Sequence, residues 1–184
     1  MFRFASKSKG HQNGSRESMD SQLSGSSNEN LSPSTKEGKE AVDKILHQRI
    51  YFKVYYLGVV QEINVTHSKK RDTDAQLIDL VEEHQIDGKL EVAAKEENSV
   101  LIFVSRYGIK VVSGQEVLQR HPLHTIAQLI QYSDGFNRQN IAVKIGQVGK
   151  SVYQCYLFQC HNEDQAQAIC QCVRLIFNAI TAKS

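Results

Sequence analysis

From residue 50 onward the chain is a succession of short runs rich in β-branched and aromatic residues, each closed by a turn signal. Branched and aromatic side chains suit a pleated, half-buried surface. Short strands in sequence with turns between them pair antiparallel and pack as two layers. The first and longest run is Ile50–Ile63, IYFKVYYLGVVQEI, with Gly58 marking a bend or bulge. Runs at 98–105, Gly108–Ser113, 115–120, 121–134, 139–145 and 152–160 follow, giving seven strands. Two stretches depart from this pattern and carry helical spacing instead. Thr73 or Asp74 caps a helix reaching Ile86, with Leu77, Ile78, Leu80 and Val81 on one side and Gly88 free to close it in a left-handed conformation. The second helix occupies 162–183. Asn162 is its N-cap, Gln165 stands at capping-box spacing, and Glu163 and Asp164 face the positive end of the helix dipole. Its apolar stripe is Ala166, Ile169, Cys170, Val173, Ile176, Phe177 and Ile180. The fold class is α+β: a seven-stranded antiparallel β-sandwich with an inserted helix and a C-terminal capping helix.

Residues 1–40 read differently. They are rich in Ser, Asn, Gly, Lys and Glu, and bury too little apolar surface to offset the entropy of ordering. A disordered serine-rich tail over 1–40 and one domain over 41–184 is the expected organisation, with a short lead-in helix over 37–48. Arg3 stands three residues before Ser6, a spacing that basophilic kinases accept, which makes Ser6 a candidate phosphorylation site. The start of the chain lacks a continuous apolar segment of the secretory kind, and no apolar run approaches the ~20 residues that span a bilayer. An intracellular, cytoplasmic location follows as the expectation. A formal net charge of +2 gives no reason to expect nucleic acid as a partner.

The functional weight falls on 121–134, HPLHTIAQLIQYSD. An edge strand here presents unpaired backbone N–H and C=O groups, and an extended peptide can satisfy them by adding a strand. With the terminal helix beside it, that edge becomes one wall of a peptide groove. Val173 and Phe177 are four apart, hence on one face of the helix that borders it.

Catalytic chemistry finds little support. Cys160 and His161 are adjacent and point to opposite faces of a strand, while His121 and His124 differ by an odd number of positions. Cys155, Cys160, Cys170 and Cys172 form no CxxC pair and read as reduced, packed thiols rather than metal ligands. No cofactor and no metal are expected. Lys69, Lys70 and Arg71 form a basic loop that offers a weak, salt-dependent contact to anionic phospholipid, the alternative reading of the chain as a phosphoinositide-binding membrane-recruitment module. From residue 50 the arginines are Arg71, Arg106, Arg120, Arg138 and Arg174, on separate elements and with no pair close in sequence. A phosphate pocket of convergent arginines is therefore not expected.

Several motifs occur in a telling order: Tyr56, Leu57 and Gly58 in the first strand; Gly108, Ile109, Lys110 and Val111 in an early hairpin; His121, Pro122, Leu123, His124, Thr125 and Ile126; then the final helix. In this the stretch from about 50 to 181 resembles the phosphotyrosine-binding (PTB) domain family, of PTB/PH-like fold. Within it the resemblance is strongest to the branch associated with integrin cytoplasmic domains. It rests on Asp87, Gly88, Lys89 and Leu90, on the run from Arg106 to Val111, and on Gln165, Ala166, Gln167, Ala168, Ile169 and Cys170. The resemblance implies a non-enzymatic adaptor for NPxY-type peptides, including integrin β cytoplasmic tails, and for a FERM-domain scaffold of the cerebral cavernous malformation pathway. It implies a peptide site on the strand at 123–132, made of Leu123, Thr125, Ile126, Ala127, Gln128, Leu129 and Ile130, facing Val173, Ile176 and Phe177. It also implies that Glu82 and Asp87 receive arginines of the scaffold. Two positions depart from that branch. Adjacent bulky aliphatics mid-strand are here Ile126 and the small Ala127. A dense N-terminal basic cluster, which would support a nuclear pool, is thinned to Lys7 and Lys9.

Overall fold

The computed structural model describes residues 4–7, 43, 47, 50–63, 73–150 and 152–182. In chain order the elements are β1 (Phe4–Lys7), β2 (Ile50–Ile63), α1 (Thr73–Ile86), β3 (Ser99–Ser105), β4 (Gly108–Ser113), β5 (Glu116–Pro122), β6 (Ile126–Ser133), β7 (Gln139–Gly146), β8 (Tyr153–Cys160) and α2 (Glu163–Thr181). Short 3-10 turns occupy Glu96–Asn98 and Leu123–Thr125. The seven expected strands are β2 to β8, and both helices fall where helical spacing places them.

The two layers are halves of one bent sheet, with strand order β1-β6-β7-β8-β2-β3-β4-β5. β2 is the corner. Its first half pairs antiparallel with β3 up to Tyr55, and its second half pairs with β8 from Tyr55 to Ile63. The register shifts between Tyr56 and Gly58 and again between Val60 and Ile63, and such bulges bend and twist a strand. Gly58 sits there with φ +128°, and a Cβ at this position would come within 2.6 Å of the Leu90 side chain. No other residue fits both the conformation and the space.

Each face of the β6–β7–β8 half is covered. On the inner face, Ile126, Leu129, Ile141, Val143 and Phe158 pack with Val100, Ile102 and Val111 of the opposite half, and α2 closes the space with Ala166, Ile169, Val173 and Ile176. On the outer face, Ile130, Tyr132, Ala142 and Leu157 pack beneath Leu77 and Val81 of α1. A strand covered on both sides carries a near-continuous apolar run, which is why β6 does not alternate. Ile86, the last residue of α1, is 86% exposed.

α2 starts as its sequence dictates. Asn162 Oδ1 accepts from Gln165 N–H at 2.8 Å, Gln165 Oε1 accepts from His161 N–H at 2.9 Å, and Gln165 Nε2 reaches the Lys53 carbonyl at 2.9 Å. The cap thus fixes the helix to β2 as well as to its own first turn.

The structure corrects one expectation at the N-terminal side. Phe4–Lys7, assigned to a disordered tail, forms β1 and pairs in parallel with β6. The rest of the tail and most of the lead-in helix over 37–48 lie outside the described residues, as do Lys69, Lys70 and Arg71.

Candidate functional site

β6 reads IAQLIQYS and contains no charged residue. On one side it pairs with β7, from Ile126 opposite Ile145 to Ser133 opposite Gln139. Its other side faces outward beside α2 and would be a free edge but for β1. Phe4 lies opposite Leu129, Ala5 opposite Ile130, Ser6 opposite Gln131 and Lys7 opposite Tyr132. The strand expected as an exposed edge therefore has backbone pairing on both sides over 129–132.

The entry to β6 also differs from a continuous strand over 121–134. β5 extends to Pro122, and Leu123–Thr125 then makes a 3-10 turn. Pro122 has no N–H to continue a ladder, and Thr125 Oγ1 donates to the Pro122 carbonyl at 2.7 Å, which stabilises the turn locally. Leu123 is buried and Thr125 half-buried within this turn. The β4 start passes close beneath. Gly108 has φ +125°, and a Cβ there would lie 2.0 Å from the His121 carbonyl, so only glycine allows the approach. Leu123 N–H donates to the Tyr107 carbonyl at 3.2 Å across the same junction.

Of the remaining predicted peptide-site residues, Ile126, Leu129 and Ile130 are buried in the two cores. Gln128 is buried and donates to the Asp74 carboxylate of α1, which ties the helix to the strand. Ala127 is exposed at a bulge between Ile126 and Gln128, so it points away from the core rather than lining an apolar pocket. On α2, Val173 and Ile176 are fully enclosed. Phe177 and, one helical turn on, Ile180 are half-buried against the same core and leave apolar surface at the helix margin. Spacing had placed Ile180 on the stripe without singling it out for the groove.

The two acidic positions differ. Glu82 is exposed on α1 and makes no ion pair among the described residues. Asp87, just past the helix end, accepts a hydrogen bond from Lys89 Nζ at 2.8 Å, and this contact holds its carboxyl below the usual range.

A cleft of about 740 Å³ opens between the β3–β4 turn and the end of β5, beside the turn that leads into β6. Arg106, Lys110 and Arg120 line it together, although they come from three places in the sequence. Arg106 and Arg120, on separate elements and not close in sequence, both line this cleft. The cations are occupied by aromatic rings: Lys110 Nζ lies 4.5 Å from the Phe103 ring centre, and Arg106 Nη2 donates to the Tyr107 hydroxyl at 2.6 Å. His121 backs the cleft. It is buried, its ring centre 4.4 Å from that of Tyr156 in a tilted contact, and bonded to Gln119 Oε1 at 3.2 Å. Burial pushes its pKa down to about 4, so the imidazole is neutral at pH 7.

The thiols are chemically quiet. Burial raises Cys155, Cys160 and Cys170 to about 12 and Cys172 to about 11, which removes the thiolate needed for nucleophilic or metal chemistry. Among the described residues no group of three or more His, Cys, Asp or Glu is placed to hold a metal ion.

With this geometry in view, comparison with known proteins is informative. The profile of a family described as Beta-1 integrin binding protein matches residues 3–184. Integrin beta-1-binding protein 1 from Mus musculus is 32% identical over 133 residues, covering 70% of this chain and 66% of that protein. The Bos taurus protein of the same description is 31% identical over the same length, with the same coverage. The matched stretch thus spans just under two thirds of either relative. Among solved structures, the C-terminal phosphotyrosine interaction domain of APBB2 from mouse aligns with TM-score 0.49 and 18% identity, over 70% of this chain and 87% of that one.

Proposed function

The chain belongs to the beta-1 integrin binding protein family, and from that premise we propose that it is a non-enzymatic adaptor for integrin β cytoplasmic tails. The peptide segment it takes is of the NPxY type, bound in extended form along β6 beside α2. One observation carries this reading: β6 has no charge over its eight residues, its outer side is covered only over 129–132 by the four-residue β1, and it lies beside a helix margin where Phe177 and Ile180 are half-buried. Natural sheets blunt idle edges with charge, so an uncharged edge is fitted to a strand-shaped partner. Backbone pairing supplies affinity, and the Phe177 margin supplies an apolar contact for one peptide side chain.

A FERM-domain scaffold of the cerebral cavernous malformation pathway is the second proposed partner, with arginines directed to Glu82 and Asp87. Glu82 is the stronger candidate, because an incoming arginine must displace Lys89 to reach Asp87. The proposed place of action is the cytoplasmic face of the plasma membrane, where integrin tails end. Contact with anionic phospholipid through Lys69, Lys70 and Arg71 is separable from peptide binding by co-sedimentation with vesicles with and without anionic lipid.

The deciding experiment is calorimetric titration of the full chain with an integrin β1-tail NPxY peptide and its scrambled counterpart. Binding of the first and not the second is expected. Equal binding of both, or of neither, overturns strand addition as the recognition mode. Glu82→Lys should leave this titration unchanged while weakening the scaffold.

A further inference from the structure

The edge that a partner peptide would use is already paired. Phe4–Lys7 lies in parallel along 129–132 of β6, residue for residue. The N–H and C=O groups on the outer side of β6 each serve one neighbouring strand, so a second strand cannot pair over 129–132 while β1 is there. We propose that Phe4–Lys7 is a resident competitor, a segment of the chain itself that must leave β6 before a partner peptide pairs. This regulates the site described above and rests on the strand-addition reading of it.

Three observations support a competitor over a permanent eighth strand. β1 has four residues, against eight in β6. Its pairing is parallel, the weaker of the two ladder types per residue, and among the described residues its other side has no strand. A short strand held by one ladder belongs to the low-stability end of a fold and opens without unfolding the domain. Against that weakness stands tethering. Residues 8–49 join the segment to β2, so its pairing is intramolecular, and a tethered competitor acts at an effective concentration on the order of millimolar. Weak contacts at high local concentration give a segment that is present most of the time and yields to a better strand. Its residues Phe4, Ala5 and Ser6 are neutral, as is the edge they cover.

Population arithmetic makes this quantitative. If β6 is open for between about a third and a tenth of the time, a partner peptide binds roughly three- to tenfold more weakly than to a permanently open edge. The same open fraction sets how strongly the outward amides of 129–132 are protected from hydrogen exchange. Removing β1 should therefore move both quantities by one common factor.

The test uses the full chain, a variant lacking residues 1–8, and a full-length Ala5→Pro/Ser6→Pro variant that keeps the length but cannot form the ladder. Amide hydrogen exchange over 129–132 is measured without ligand, and affinity with the integrin β1-tail NPxY peptide. Expected in both variants is exchange roughly three- to tenfold faster and affinity tighter by the same factor. Exchange unchanged in both variants overturns the proposal, whatever the peptide does. Faster exchange with unchanged peptide affinity also overturns it, since β1 would then be a strand that does not compete. Faster exchange in variants that, like the full chain, bind no peptide would instead take down the strand-addition reading, and the competitor role with it.

Discussion

Leaving β1 aside, β6 and β5 are the outermost strands at the two ends of one sheet, and they are finished in opposite ways. β5 carries Glu116 and Arg120, leaves Val117 and Leu118 partly in solvent, and breaks its register with β4 at Leu118. Charge and a bulge make a poor template for a further strand. β6 has no charge and is buried from Gln128 to Tyr132, because one face lies on the main core and the other lies under α1. Its bulge, at Ala127, sits at the entrance and leaves the ladder regular from Gln128 onward. The difference teaches that β5 is an edge made to be left alone. β6 is an edge kept regular and neutral, at the cost of needing cover, which β1 supplies in the unliganded chain.

The largest test of this contrast is one substitution made at both ends. Leu129 is 1% exposed and Leu118 is 42% exposed. Leu129→Ala should lower unfolding stability by about 2–5 kcal/mol through lost burial and an unfilled cavity. Leu118→Ala should stay within about 0.5 kcal/mol. Urea denaturation reads both, and similar losses would erase the distinction between the edges.

The junction between the two ends supplies the next effect. His121 is the last residue but one of β5, and burial holds its pKa down at about 4 against 6.5 in the unfolded chain. The unfolded state therefore binds a proton that the folded state refuses. Its contribution is fully present above pH 6.5 and is lost as pH falls from 6.5 toward 4. The loss amounts to about 3 kcal/mol. His121→Gln should flatten that part of the stability–pH profile. A profile unchanged by the substitution would mean that another group carries the acid sensitivity.

These particulars also mark how far the sequence could be read. Strands β2 to β8 were legible because turn signals and β-branched runs are local, and the start of α2 because Asn162 and Gln165 declare it. The uncharged composition of β6 was legible too. Depth was not. Helical spacing places Val173, Ile176 and Phe177 on one face, but enclosure of the first two depends on β strands distant in sequence. The turn at Leu123–Thr125 was obscured because Pro122 suits an extended segment as readily as a turn. The meeting of Arg106, Lys110 and Arg120 depends on the register of two consecutive hairpins, and the pairing of Phe4–Lys7 with residues more than a hundred positions away has no local signature at all. The pair of phenylalanines at Phe2 and Phe4, in a segment otherwise poor in apolar residues, was the one available hint.

Phe177 sharpens the comparison on the side of β6. Its ring is only half-buried, so Phe177→Ala should cost the fold about 1–3 kcal/mol, less than a fully enclosed ring would. The same change should weaken the NPxY peptide about tenfold, whereas Val117→Ala at the opposite end should not alter binding. Because stability and binding are both touched, affinity must be measured where the variant remains folded. Unchanged affinity there would remove the α2 margin from the groove.

The smallest expected effect concerns phosphate, and it is where the two ends of the sheet come closest. The cationic cleft lies at the end of β5, beside the turn into β6, so a peptide bound along β6 with its tyrosine at that end would have three cations within its neighbourhood. Strong phosphate recognition needs more than proximity. It needs guanidinium forks aimed at one point and free to make paired, charge-assisted bonds. Here Arg106 donates to the Tyr107 hydroxyl and lies over its ring, and Lys110 lies over Phe103. Arg106 and Arg120 are exposed to solvent and its screening ions. A phosphate would gain long-range attraction and forfeit part of its hydration, and the two effects largely offset. Affinity for the plain and tyrosine-phosphorylated forms of one NPxY peptide should therefore differ by less than tenfold, or less than about 1.4 kcal/mol. The difference should also shrink as salt is raised. A phosphorylated peptide that bound more than tenfold tighter, and kept that advantage at high salt, would show that Arg106 and Arg120 turn from their present partners to grip the phosphate directly.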